Sequence, residues 1–122
     1  MAKSVHNDVL DGALNIVKNN ATLMTVCNAE PLTRAEAITT YALADVAVTG
    51  TDFTAADGDT NGRKLTVAAK SAVPIDVSGN ATHVAIVDGT RLLYVTTCTA
   101  QQLTLGGTVD IPTWKFEIAD PT

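Results

Sequence analysis

From Asp45 onward the apolar residues recur at every second position, and this period constrains the fold more than any other feature of the chain. Side chains two apart share one face of a strand, so the period calls for a mainly β structure. Candidate strands run over 46–49, 63–70, 73–77, 82–87, 91–99, 102–105 and 113–118, at spacings that fit a sandwich or barrel. Thr alternates with Val and Leu through much of this half, as in half-buried strands. Aromatic residues are few (Tyr41, Phe53, Tyr94, Trp114 and Phe116), so the core must be built from small aliphatic side chains.

Before Asp45 the pattern is helical. Val5, Val9, Leu10, Ala13, Leu14 and Val17 fall on one face of a helix over 5–18, and Asn19-Asn20 ends it. A short β-prone run, 22–27, follows. Thr33 and Glu36 then have the spacing of a capping box, which predicts a second short helix over 34–42 that buries Ile38 and Tyr41. With 122 residues the chain supports one core. The expected fold is therefore a single mainly β domain over 1–122: a jelly-roll-like β-sandwich with an N-terminal amphipathic helix, residues 1–21 forming a helical arm, and a second short helix.

Asp88-Gly89 between β-prone runs predicts a two-residue type I′ hairpin turn. In that register Thr82, Val84 and Ile86 share a face with Arg91, Leu93 and Val95, while His83, Ala85 and Val87 share the other with Leu92 and Tyr94. Neither face is polar, which places the hairpin centrally or against a partner. Pro74 and Pro112 cannot donate ladder hydrogen bonds and mark an edge or a bulge. Val109 and Ile111 alternate in one phase and Trp114, Phe116 and Ile118 in the other, so a bulge or sheet switch is expected at Pro112. Trp114 reads as a core anchor of the last strand.

Candidate chemistry is sparse. Asp57, Asp59 and Asn61, with Gly62, reproduce the first half of a calcium loop in the one long loop, 50–62. The bidentate Glu that should complete it is replaced by Ala68, and Arg63 adds positive charge, so a solvated turn is expected and no metal or other cofactor. His6 and His83 belong to no ligand motif, and a Cys98–His83 pair lacks an orienting third residue. No catalytic residues are expected. Cys27 and Cys98 can be free buried thiols, an internal bridge or an intermolecular one. The formal charge of −5 opposes nucleic acid binding. No apolar stretch is long enough for a membrane span and the start lacks a signal core, so the expected site of synthesis is the cytosol, with no membrane partner.

The sequence resembles the small structural proteins of tailed-bacteriophage virions, in particular capsid decoration or cement proteins. The resemblance lies in the helix from Val5 to Leu14, the hairpin of His83–Val87 with Arg91–Val95, and the ending from Ile111-Pro112-Thr113-Trp114 to Ile118-Ala119-Asp120-Pro121. It implies a non-enzymatic β-sandwich made in the host bacterial cytoplasm and carried on the capsid surface. There it would bind the major capsid protein, often as a homo-oligomer (dimer or trimer), and tie capsomers together. A tail, connector or head-completion subunit, or a generic small binding module, fits the same residues. The contact candidates are Val5, Val9, Leu10, Leu14 and Val17 on the helix, whose apolar stripe could also dock on its own sheet, together with Leu92 and Tyr94 on the hairpin.

Overall fold

The computed structural model describes residues 4–120. Helix α1, Asn7–Asn20, starts two residues later than the periodicity indicates. His6 caps it, its Nδ1 accepting from the Asp8 amide at 3.1 Å, with Asp8 in the first turn and Lys18 in the last suiting the helix dipole. Leu10, Leu14 and Val17 form its buried stripe. Nine strands follow: β1 Leu23–Cys27, β2 Ala42–Ala47, β3 Phe53–Asp57, β4 Arg63–Val67, β5 Lys70–Pro74, β6 Gly79–Val87, β7 Leu92–Leu103, β8 Thr108–Ile111 and β9 Trp114–Ile118. Between β1 and β2 lies α2, a single π-type turn, Glu36–Thr40.

The fold is a mainly β sandwich with antiparallel pairing throughout. One layer is a four-stranded sheet in the order β2-β1-β6-β7; facing it are a three-stranded sheet, β3-β4-β9, and a two-stranded ribbon, β5-β8. The core joins Met24, Val26, Leu43, Val84 and Ile86 of the first sheet to Phe53, Leu65 and Val67 of the second, Val73, Val109 and Ile111 of the ribbon, and Leu14 and Val17 of α1. The other face of the four-stranded sheet is covered in part by α2, where Ala37 packs with Ala85 and Val87. This accounts for the two apolar faces of β6: both are used within the chain.

Several local expectations are corrected. The stretch 50–62 is not one long loop but a 3₁₀ turn, Gly50–Asp52, and strand β3, whose Phe53 is buried. Its small and acidic residues hide the strand period. The second helix is shorter than 34–42, because Ala42 already belongs to β2. Its capping box is half formed: Thr33 Oγ1 accepts from the Glu36 amide at 3.2 Å, but the Glu36 carboxylate takes the Leu32 amide instead. Ala37 is buried there, while Ile38 and Tyr41 are half-buried.

The β6–β7 turn is not type I′, since neither Asp88 nor Gly89 has a positive φ. The Asp88 carboxylate takes the Thr90 amide and the backbone turns over four residues, closed by the Asp88 amide on the Arg91 carbonyl. Register shifts accordingly, so Ile86 lies opposite Tyr94 and Val84 opposite Thr96, and Tyr94 moves to the core face. The runs 91–99 and 102–105 are one bulged strand, β7, at the edge of the sheet and not at its centre. The phase change at Pro112 is a sheet switch: β8 pairs with β5 and β9 with β4.

Candidate functional site

The sandwich is open along one side, where β7 ends the four-stranded sheet and β9 ends the three-stranded one. A cleft of about 590 Å³ lies between them, lined by Val84, Thr96, Cys98, Ile111, Pro112 and Trp114 among others. A second hollow of about 220 Å³ shares Val84, Cys98 and Ile111 with it and reaches Val26 and Ala81, so the floor is the buried core itself. The rim is polar but bears little charge: Thr96, Thr97, Thr99 and Gln101, with Asp110 and Lys115. Both charges are engaged elsewhere, Asp110 accepting from the Ala72 amide at 2.8 Å and Lys115 pairing with Asp59.

Tyr94, Trp114 and Phe116 bridge the two sheets beside the cleft. Tyr94 stacks on Phe116 with centroids 4.1 Å apart, and Trp114 lies 5.8 Å from Tyr94 and 5.7 Å from Phe116 in tilted contacts. Trp114 packs on the core, as its reading as an anchor requires, but it is only half-buried and lines the cleft. Its indole Nε1–H is buried without an acceptor. Cys98 Sγ is the one thiol of the cleft, and burial raises its pKa, so at neutral pH it stays protonated.

The structure scatters the residues that the sequence singles out. Leu10, Leu14 and Val17 are buried in the chain's own core and hold the fold together, so they present no surface to a partner. Val9 is 66 % exposed, off the buried stripe, and Val5 is half-buried ahead of the helix. Leu92 packs against Ala37, Ala85 and Val87 on the α2 side, and Tyr94 belongs to the aromatic cluster. The segment expected as an arm is docked: Arg63 on β4 holds Asp11 of α1 through Nε at 2.8 Å and Nη2 at 3.3 Å.

The calcium-like residues lie at the end of β3 and in the β3–β4 turn, each with at least one side-chain oxygen already engaged. Asp57 accepts from Arg63 Nη1 at 2.8 Å, Asp59 pairs with Lys64 and Lys115, and Asn61 Oδ1 accepts from the Asp120 amide at 3.0 Å. Arg63, Lys64 and Lys115 thus neutralise the two carboxylates of this segment. Among the described residues no cluster of three or more His, Cys, Asp or Glu is arranged to hold a metal. Cys27 and Cys98 are both free thiols; Cys27 is fully buried, its Sγ donating to the Ala37 carbonyl at 3.6 Å, and burial raises its pKa too. His83 Nδ1 is bonded to Thr82 Oγ1 at 2.8 Å.

Periodicity could not have revealed the cleft, because it depends on which strands end the two sheets. The available signal is the charge-free run from Leu92 to Val109, which is longer than a solvated strand requires. No family model matches the chain, and no curated protein and no solved structure matches it either.

Proposed function

We propose that this protein is a non-enzymatic structural component of a tailed-phage virion, binding the outer surface of the assembled capsid and tying neighbouring capsomers together. The observation that carries the reading is how its ionisable groups are spent. Asp11 and Asp57 hold Arg63, Asp59 holds Lys64 and Lys115, Asp52 holds Lys70, and Asp88 holds Arg91, so these carboxylates are tied up in ion pairs, and Asp45, whose pKa burial and the neighbouring Asp76 raise, does not line the cleft. The cleft offers hydroxyls, apolar surface and a protonated thiol, which suit contact more than turnover. A rigid body repeated over a lattice needs only modest contacts, because neighbouring attachments raise the effective concentration of each. The resemblance to decoration proteins supplies the partner, the major capsid protein.

The test is to mix the purified chain with empty shells of the major capsid protein from the same genome. Co-sedimentation at saturating stoichiometry, with a higher shell disassembly temperature, is expected. Failure to bind the shells, or binding to isolated tails alone, would overturn the capsid reading.

A further inference from the structure

Asn61-Gly62, in the β3–β4 turn, is the one place in the chain where an asparagine is followed by a glycine. Asn7, Asn15, Asn19 and Asn20 lie in α1 and Asn80 in β6, where regular hydrogen bonding fixes the backbone, and Asn28 is followed by alanine. The pair matters because the main-chain nitrogen of the next residue can attack an asparagine side-chain carbon, and glycine has no side chain to obstruct the approach. The fold leaves that attack open. Asn61 is exposed and outside any helix or strand, so water and hydroxide reach it. The Gly62 amide donates to no main-chain carbonyl among the described residues, so its proton can be removed without breaking a ladder. Asn61 Oδ1 accepts from the Asp120 amide at 3.0 Å, and that donor stabilises the negative charge that develops on the oxygen when a nucleophile adds.

We propose that Asn61 is a self-modification site, at which the folded protein converts asparagine to aspartate and isoaspartate with the Gly62 nitrogen as nucleophile. Hydroxide takes the Gly62 amide proton and the nitrogen bonds to Asn61 Cγ. The Cγ–Nδ2 bond then breaks, and the leaving nitrogen takes a proton from water and departs as ammonia. The succinimide ring that results takes up water, which opens it at either carbonyl. One opening leaves aspartate; the other leaves isoaspartate, with the main chain running through the side-chain carbon. Both products act on the contact between the turn and the last strand. Gly62 lies so close to the Ile118 carbonyl that a Cβ would collide with it, so the extra main-chain atom of isoaspartate has no room there. Aspartate adds a carboxylate to a segment that already carries Asp57 and Asp59. Conversion therefore loosens the end of β9 and Asp120 from the hairpin, and it proceeds whether or not the protein binds a capsid.

Tryptic mapping of the chain held native at neutral and mildly alkaline pH tests this, because the peptide 35–63 has Asn61 as its single asparagine. That peptide should gain the mass of an amide-to-acid exchange, at a rate that rises with pH, and split into aspartate and isoaspartate forms. The native chain should convert at least as fast as the same chain in urea, since the fold presents the pair instead of guarding it. Gly62→Ala should stop the conversion on that timescale; if this variant does not fold, the comparison of native with urea-unfolded wild type decides alone. The converted chain, separated by ion exchange, should unfold at a lower urea concentration than the starting material. An Asn61 that persists in the native chain while it converts in urea, or equal conversion at the other asparagines, would overturn the proposal. An unchanged unfolding midpoint would overturn the loosening of β9.

Discussion

Tyr94 on β7 and Phe116 on β9 stack with centroids 4.1 Å apart and planes inclined by 19°, joining two sheets that share no hydrogen-bonded strand. The contact stands where the sandwich is otherwise open, so it should hold the layers together more than an average pair does. Phe116→Leu and Tyr94→Leu should each destabilise the protein, and the double-mutant cycle should give a coupling of about 0.5–1.5 kcal/mol, as for other aromatic pairs. Urea unfolding of the four proteins measures it; additive losses would mean that the rings contribute only by burial.

Helix α1 is fastened from inside. Leu14 is 2 % exposed and Val9 66 %. Leu14→Ala should cost roughly 2–5 kcal/mol, the range for deleting a buried leucine, while Val9→Ala should stay within about 0.5 kcal/mol. Removing residues 2–20 should leave an insoluble or unfolded chain. A soluble, cooperatively folding truncation would restore the helix to the status of a detachable arm.

The β6–β7 turn predicts a pH dependence. Hydrogen bonds from the Thr90 amide, and then the Arg91 guanidinium and amide, hold the Asp88 carboxyl down to about 2. A carboxylate with a depressed native pKa contributes stability that is fully present above its unfolded value near 4 and is lost as pH falls through the native one. The contribution of Asp88 should therefore fade between about pH 4 and pH 2. Denaturation midpoints of the wild type should fall faster than those of Asp88→Asn across that window. Parallel slopes would remove Asp88 from the acid response.

The two-residue period makes the sandwich legible, and the phase change at Pro112 correctly marks a sheet switch, because both are written in which residues alternate. What stays hidden depends on tertiary partners. Local propensity makes the Asp-Gly dipeptide a two-residue hairpin turn, but the Asp88 carboxylate, together with Arg34 Nε donating to the Asp88 main-chain carbonyl at 2.7 Å, selects a different turn and so a different register for β7. Strand β3 escapes the period because Thr54, Ala55 and Ala56 give little hydrophobic contrast. The cleft follows from β7 and β9 both lying at edges, a relation between strands far apart in sequence.

Two glycines should respond oppositely to alanine. Gly62 has φ 71°, and a Cβ there would collide with the Ile118 carbonyl oxygen, so Gly62→Ala must push the β3–β4 turn away from the end of β9. A loss of more than about 1 kcal/mol is expected from the positive φ alone. Gly12, in the middle of α1, has open space within 4 Å of where an alanine Cβ would stand, so Gly12→Ala should stabilise by about 0.5–1 kcal/mol through helix propensity. Thermal unfolding of both variants tests this, and a stable Gly62→Ala protein would show that the turn can relax.

Ala72 is the one non-glycine residue with positive φ among those described, at 54°. It sits in the bulge of β5, between Lys70 and Val73, where register with β8 is lost. Asp110 of β8 holds it there, its Oδ1 accepting from the Ala72 amide at 2.8 Å. Left-handed backbone costs an L-residue roughly 1–2 kcal/mol, and glycine pays none of it. Against this, glycine adds unfolded-chain entropy worth about 0.4–1 kcal/mol. The first effect is the larger, so Ala72→Gly should raise stability by some tenths of a kcal/mol to about 1 kcal/mol. Asp110→Ala should lower it by about 1 kcal/mol, since the Ala72 amide then loses its acceptor. In the Ala72→Gly background the penalty of Asp110→Ala should shrink, because a strain-free backbone needs less holding. Equal penalties in the two backgrounds would mean that Asp110 is not what keeps Ala72 in its left-handed conformation.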